Sequence, residues 1–178
     1  MKHFLIVVDL QKDFVDGALG SAEAQAIIPA AAEKIRGWQG DIIVTLDTHA
    51  PDYLFTSEGQ KLPVPHCIRN TPGWELNDVI ADALKEKAPT VVEKPTFGSV
   101  ELPGILMKAA GGEPFSIELI GLCTDICVVS NALLLKASFP EAPISVDASC
   151  CAGVSPATHL AALQTMQCCQ IDIAHMPG

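Results

Sequence analysis

The chain has 178 residues, 49% of them hydrophobic, enough for one α/β domain with a full core and too few for two comfortable ones. Its formal net charge of -10 leaves no excess of Lys and Arg to neutralise phosphates, which excludes nucleic acid and makes a small molecule the default partner. The longest apolar stretches, such as 128–135, are broken by Ser130 and Asn131 and fall short of the roughly 18 residues that a membrane span needs, so no membrane partner is expected.

From the N-terminus, Met1-Lys2-His3 precede a short apolar run with no small-residue cleavage site behind it, which predicts a cytoplasmic protein. That run, FLIVV at 4–8, reads as a strand ending in Asp9, and a helical pattern follows at about 22–36. IIVTL at 42–46 is the second strand, with Asp47 and His49 behind it. The segment 48–74, rich in Pro and Gly, has little periodicity and is expected to be a functional loop. A helix at about 75–87 leads to the strand TVV at 90–92, which Glu93 and Lys94 follow, and then to a helix at about 99–110. IELIGL at 117–122 feeds the loop around Cys123–Cys127 and a helix at about 125–137. ISV at 144–146, a helix at about 156–167 and QIDIA at 170–174 complete the chain.

Unalternating apolar runs suit strands covered on both faces, and their alternation with helices implies right-handed crossovers. The predicted fold is therefore α/β: a single-domain, doubly wound (Rossmann-like), mostly parallel six-stranded sheet with helices on both faces, spanning residues 1–178. In such a sheet the ligand sits beyond the carboxyl ends of the strands. Asp9, Asp47, His49, Glu93, Lys94 and the 122–127 loop all fall there.

Seven cysteines make an odd count without secretory features, so free thiols are expected and most should be buried. Thr124 and Asp125 are good N-cap residues, which would place Cys127 in a first helical turn, where the helix dipole lowers a thiol pKa. Free N–H groups at that helix start could also stabilise an oxyanion. Cys123, before the cap, is the weaker nucleophile, and C-x3-C alone does not make a structural zinc site. A thiol nucleophile needs a proton acceptor; Asp9 fits if a cation keeps its buried carboxylate ionised, and Lys94 is placed to do so. Taken alone, Cys123 and Cys127 could equally be core residues, and Asp9 and Lys94 solvated strand ends.

Asp47 and His49, two apart in an extended segment, project to one side, and His66 can return across the loop to complete an oxygen-and-imidazole site suited to zinc, iron or manganese. Otherwise Asp47 caps a turn and the histidines lie on the surface.

Together, VVDLQKDFVDGAL (7–19), TLDTHAPDY (45–53), LPVPHCIRNTPGWEL (62–76), EKPTFGS (93–99) and GLCTDICV (121–128) resemble the isochorismatase-like cysteine hydrolase superfamily and, within it, the nicotinamidases. The resemblance implies a catalytic set of Asp9 as proton acceptor, Lys94 as its electrostatic partner and Cys127 as the nucleophile that attacks an amide and passes through a thioester. It implies a cis peptide before Cys123, whose backbone N–H would join that of Cys127 at the oxyanion. It implies a divalent metal, zinc foremost and iron or manganese as alternatives, on Asp47, His49 and His66, with Glu58 as a fourth ligand in some members. Phe14, Leu19 and Phe97 are the expected substrate contacts, and a homo-oligomer is the family habit. The chain departs from nicotinamidases at Pro63 and Val64, where a second ring-stacking aromatic usually stands. The expected reaction is hydrolysis of nicotinamide to nicotinate and ammonia. The alternatives are a carbamoyl or ureido hydrolase of the same superfamily and a thiol redox or sensor protein using Cys123 and Cys127.

Overall fold

The computed structural model of the chain describes residues 1–177. Six strands, β1 (Lys2–Val8), β2 (Asp41–Asp47), β3 (Thr90–Lys94), β4 (Phe115–Leu122), β5 (Ile144–Ala152) and β6 (Asp172–Ala174), form one sheet in the order β3-β2-β1-β4-β5-β6. Every pairing is parallel, so the "mostly parallel" expectation becomes wholly parallel. The strand order reverses between β1 and β4, and a crevice opens at the carboxyl ends of strands at such a switch point.

Phe4 to Val8 are all fully buried, and alternate residues serve opposite faces. Leu5 and Val7 pack with α2 (Ala22–Gly37) and α4 (Asp78–Leu84), through Ile28, Ala31, Ile35 and Ile80. Phe4, Ile6 and Val8 pack with α5 (Leu102–Ala110), α6 (Val129–Ser138) and α7 (Pro156–Cys168), through Leu106, Leu135, Leu163 and Met166. Burial of each such side chain contributes about 1.5–3 kcal/mol, which explains why β1 is apolar on both faces from Phe4 to Val8.

Local signals set the helix ends. Ser21 caps α2 by accepting from the Ala24 N–H. Ser155 and Thr158 form a reciprocal capping box at the start of α7, with Pro156 in its first turn. The loop 48–74 is not structureless: it holds the five-residue helix α3 (Ser57–Lys61), while α1 (Lys12–Val15) is a single turn after β1. The expected helix at 75–87 shrinks to α4, because Asn77 caps its start by accepting from the Val79 N–H. β5 runs to Ala152, well past the expected 146. Asp147 and Ser149 break its apolar pattern, yet Asp147 stays inside because Lys34 reaches its carboxylate at 2.6 Å and Ser149 and His175 bond it.

Candidate active site

Asp9 follows the last residue of β1 with a left-handed φ of 48°, a conformation costly for a residue with a Cβ and retained mainly at functional positions. Its N–H bonds the Thr45 carbonyl at 3.2 Å, and its Oδ1 accepts from the Thr45 hydroxyl at 2.7 Å. Beside it, Gly121 has a φ of 122°, and a Cβ there would sit 2.0 Å from the Val8 oxygen; only glycine lets β4 lie this close to the β1 terminus.

Lys94 ends β3 and is 1% exposed. Its Nζ lies 2.6 Å from Asp9 Oδ2, 3.4 Å from Asp47 Oδ1 and 3.5 Å from Cys127 Sγ, and donates to the Thr96 carbonyl at 3.1 Å. Burial alone would favour the neutral amine, but the charges of Asp9, Cys127 and Asp47 push the ammonium well above the ordinary lysine range. Asp9 Oδ2 accepts no well-formed hydrogen bond, although fully buried; Lys94 is its ionic partner, and the oxygen remains free to take a proton.

Cys127 is 4% exposed and lies in a π-helical turn, Thr124–Val128, ahead of α6. Burial and then the Asp9 charge push its thiol well up, with Lys94 pulling the other way. Burial and the neighbouring carboxylates thus oppose the fall in pKa expected from the helix start, and Lys94 is the group that favours the thiolate. The Asp9 carboxyl is also raised, by burial first and then by the Asp47 charge, with Lys94 pulling it down. A thiol and a carboxylate that hold one proton between them, beside a cation that stays charged, can pass it from one to the other without changing the net charge of the pocket.

The cap assignment also changes. Neither Thr124 nor Asp125 caps this turn; Cys123 occupies the cap position with no side-chain bond. The Asp125 carboxylate accepts from the Val154 N–H at 3.1 and 3.2 Å, and the Thr124 hydroxyl meets His159. The Leu122–Cys123 peptide is cis, as the resemblance implied. Burial holds the Cys123 thiol up, at about 12. All seven cysteines are free; Cys67, Cys127, Cys150 and Cys151 are buried, while Cys168 and Cys169 are exposed.

Asp47, His49, Glu58 and His66 bring one donor atom each within 4.8 Å of one another. Asp47 Oδ2 lies 3.0 Å from His49 Nε2 and 3.5 Å from His66 Nε2, and Glu58 Oε1 lies 3.6 and 3.7 Å from the same two nitrogens. The His66 Nδ1 is engaged by the Val64 carbonyl at 2.8 Å, which orients the ring with Nε2 toward the cluster, the usual support of a metal-ligating imidazole. Burial would raise the Asp47 carboxyl, but hydrogen bonds from His49 and His66 and the Lys94 charge hold it well below the carboxylate range. Two imidazoles and two carboxylates, three of the four buried, fit a divalent zinc, iron or manganese ion. The return of His66 has a backbone cause: the His49 N–H bonds the Cys67 carbonyl, and the Arg69 N–H bonds the His49 carbonyl.

Four supporting residues were not visible from sequence. Buried Gln11 grips the Asp47 backbone from both sides, donating to its carbonyl at 2.9 Å and accepting its N–H at 2.8 Å. Asp13 accepts the Cys67 N–H at 2.7 Å. Trp74 donates its indole N–H to Thr48 at 2.8 Å. Asn131 donates to the Cys127 carbonyl at 2.8 Å and accepts the Ser99 N–H at 2.9 Å. A buried amide inside an apolar helix is the one legible signal among these, since it must find partners.

Between the thiol and the metal-type cluster lies a cavity of about 410 Å³, within the range of about 300–1,000 Å³ typical of small-molecule sites. Phe14, Leu19 and Phe97 line it, as do Leu62, Asp47, Glu58, His66, Cys123 and Cys127. Leu62 thus occupies wall space where a second aromatic was expected, and Glu93 pairs outward with Arg69.

The isochorismatase domain family matches residues 3–175. A nicotinamidase of Schizosaccharomyces pombe is 28% identical over 170 residues, covering 72% of this chain and 74% of that protein. The crystal structure of nicotinamidase/pyrazinamidase PncA from Bacillus subtilis superposes with a TM-score of 0.85 at 24% identity, covering 98% of this chain and 100% of that one. Pyrazinamidase of Pyrococcus horikoshii, solved in complex with zinc, superposes with a TM-score of 0.80 at 25% identity over 98% of this chain and 99% of its own.

Proposed function

The chain belongs to the isochorismatase family, and from that premise we propose that it is a cysteine amidohydrolase that converts nicotinamide to nicotinate and ammonia. The observation that carries the reading is the position of Lys94 Nζ, 2.6 Å from Asp9 Oδ2 and 3.5 Å from Cys127 Sγ, with Cys127 itself lining a cavity shared by Asp47, Glu58 and His66. In the proposed reaction Cys127 passes its thiol proton to Asp9, and the thiolate, stabilised by Lys94, attacks the amide carbon. The carbonyl oxygen becomes an oxyanion, held by the backbone N–H groups of Cys123 and Cys127. Asp9 returns the proton to the nitrogen, the C–N bond breaks and ammonia leaves. Water then gives a proton to Asp9 and attacks the thioester; the carboxylic acid leaves and Cys127 regains its proton.

Asp47, His49, His66 and Glu58 would hold a divalent ion, zinc being the first choice for this nitrogen-and-oxygen set and the one in the Pyrococcus horikoshii structure. Such an ion would supply a Lewis acid for the ring nitrogen of the substrate. Phe14, Leu19 and Phe97 form the walls against which the ring is proposed to pack. A homo-oligomer is proposed on the habit of the family, and a cytoplasmic location on the free thiols. Among the described residues no helix is long and apolar enough to cross a membrane.

The test is ammonia release from nicotinamide by zinc-loaded protein, with nicotinate formed in equal amount. If nicotinamide is inert while ureido or carbamoyl compounds turn over, the second reading replaces the first. That reading is favoured by one observation: Pro63 and Val64 stand where the ring-stacking aromatic is expected. Against a redox pair stands the Asp9–Lys94 pair set against the Cys127 thiol, which a reversible disulfide does not need.

A further inference from the structure

The loop that carries Cys123 and Cys127 is tied to the rest of the molecule through its own side chains. Thr124, fully buried, has its hydroxyl 2.8 Å from His159 Nδ1, and no other side-chain bond to that hydroxyl exists among the described residues. His159 stands in the first turn of α7, with its N–H on the Ser155 carbonyl and the capping box fixing that turn. Gly153 lets the two segments touch: a Cβ there would lie 2.9 Å from the His159 Cα and Cβ. The other anchor, Asp125 to the Val154 N–H, binds the same β5–α7 connection. The ring of His159 also borders a separate cavity of about 260 Å³ shared with Glu23, Cys151 and Ser155, outside the substrate cavity.

We infer that His159 is a positioning residue: by accepting the Thr124 hydroxyl at Nδ1, neutral imidazole fixes the turn that presents the Cys127 thiol and the Cys123 backbone to the substrate carbonyl. Geometry drives the inference. Thr124 lies between the two cysteines, one residue after Cys123 and three before Cys127, and a displacement of about 1 Å at a reacting group costs on the order of a hundredfold in rate. Imidazole with its proton on Nε2 accepts the hydroxyl hydrogen. Imidazolium can only donate, leaving that buried hydrogen without an acceptor. The charged or titratable groups that face His159 are Asp125 from the turn, Glu23 from α2 and Cys151 from β5. Burial lowers the imidazole pKa and Asp125 raises it, with burial prevailing, so the neutral form extends below the usual histidine range.

The inference rests on the amidohydrolase reading, and two measurements separate their fates. In steady-state hydrolysis, His159→Ala lowers kcat by about tenfold or more with KM within about twofold. His159→Asn, whose side-chain oxygen can take the place of Nδ1, restores most of kcat and moves the acid limb of its pH profile lower. In parallel, the rate of iodoacetamide alkylation at Cys127, followed by peptide mass spectrometry, is compared across pH for the wild type and His159→Asn. The wild type shows a step in the range of His159 titration that the variant lacks. Failure of the wild type to hydrolyse any amide would remove the functional reading, and the alkylation profiles would still decide the inference. Unchanged kcat in His159→Ala, or identical alkylation profiles, would overturn it. So would a fall in Tm that accompanies every loss of kcat with no rescue by Asn.

Discussion

Replacing Lys94 by Met keeps the length and apolar stem of the side chain and deletes its charge. At the 3.5 Å separation of Nζ from Cys127 Sγ and an effective dielectric of about 20, the lost attraction for a thiolate is about 5 kcal/mol. At 1.36 kcal/mol per pK unit this corresponds to about three and a half decades of thiolate population. A second loss compounds it. Asp9, 2.6 Å from the vanished ammonium and already raised by burial, takes up a proton and ceases to be a base. That protonation relieves part of the cost of an unpaired buried carboxylate, about 3–5 kcal/mol when one partner of a buried pair is removed, so Lys94→Met should fold with a lowered Tm. The expected fall in kcat/KM is about a thousandfold, read as ammonia release at neutral pH, and Cys127 alkylation should shift to higher pH. A variant that keeps more than about a tenth of wild-type kcat/KM with an unshifted alkylation profile would refute the proposed electrostatic role.

Cys127→Ala should abolish turnover, whereas Cys123→Ala, which keeps its backbone N–H, should only impair it; equal loss in both would contradict the assignment of the nucleophile. His66→Ala removes one donor of the Asp47, His49, Glu58 and His66 cluster and should weaken zinc binding at least about a hundredfold in competition with a chromophoric chelator; an unchanged affinity would place the ion elsewhere. Asp147→Asn tests the second buried charge network, in which Lys34, Ser149 and His175 hold the carboxyl down at about 2 against burial. Its folded value lies below the ordinary 3.8, so the stabilisation of about 2 kcal/mol is complete above pH 3.8 and fades as the pH falls toward 2. Urea midpoints of wild type and variant should therefore differ at pH 7 and converge near pH 2; a constant gap would reject the linkage.

The sheet was legible wherever a strand carried an uninterrupted apolar run. β1 and β4 announce themselves because both faces of each are covered, and Asp9 and Lys94 stood out because each marks where such a run reaches the open edge. β5 was cut short because Asp147 and Ser149 look like an exit to solvent, and nothing local reveals that Lys34, over a hundred residues away in sequence, meets them. The cap of the thiol turn differs from its sequence signal for a similar reason. A cap at Thr124 and Asp125 is a local signal, but the partners of those residues, His159 and Val154, belong to a segment about thirty residues downstream. Gln11 is hidden because nothing local marks it as buried, whereas the metal-type cluster surfaces because its residue types are uncommon in combination.

The central claim is that Cys127 becomes acylated by the amide while Cys123 does not. Turnover of nicotinamide quenched in acid, followed by peptide fragmentation, measures this directly. The account predicts a nicotinoyl group on the Cys127 sulfur, absent when nicotinate replaces nicotinamide. Nicotinoyl label on Cys123, or undiminished ammonia release by Cys127→Ala, would contradict it.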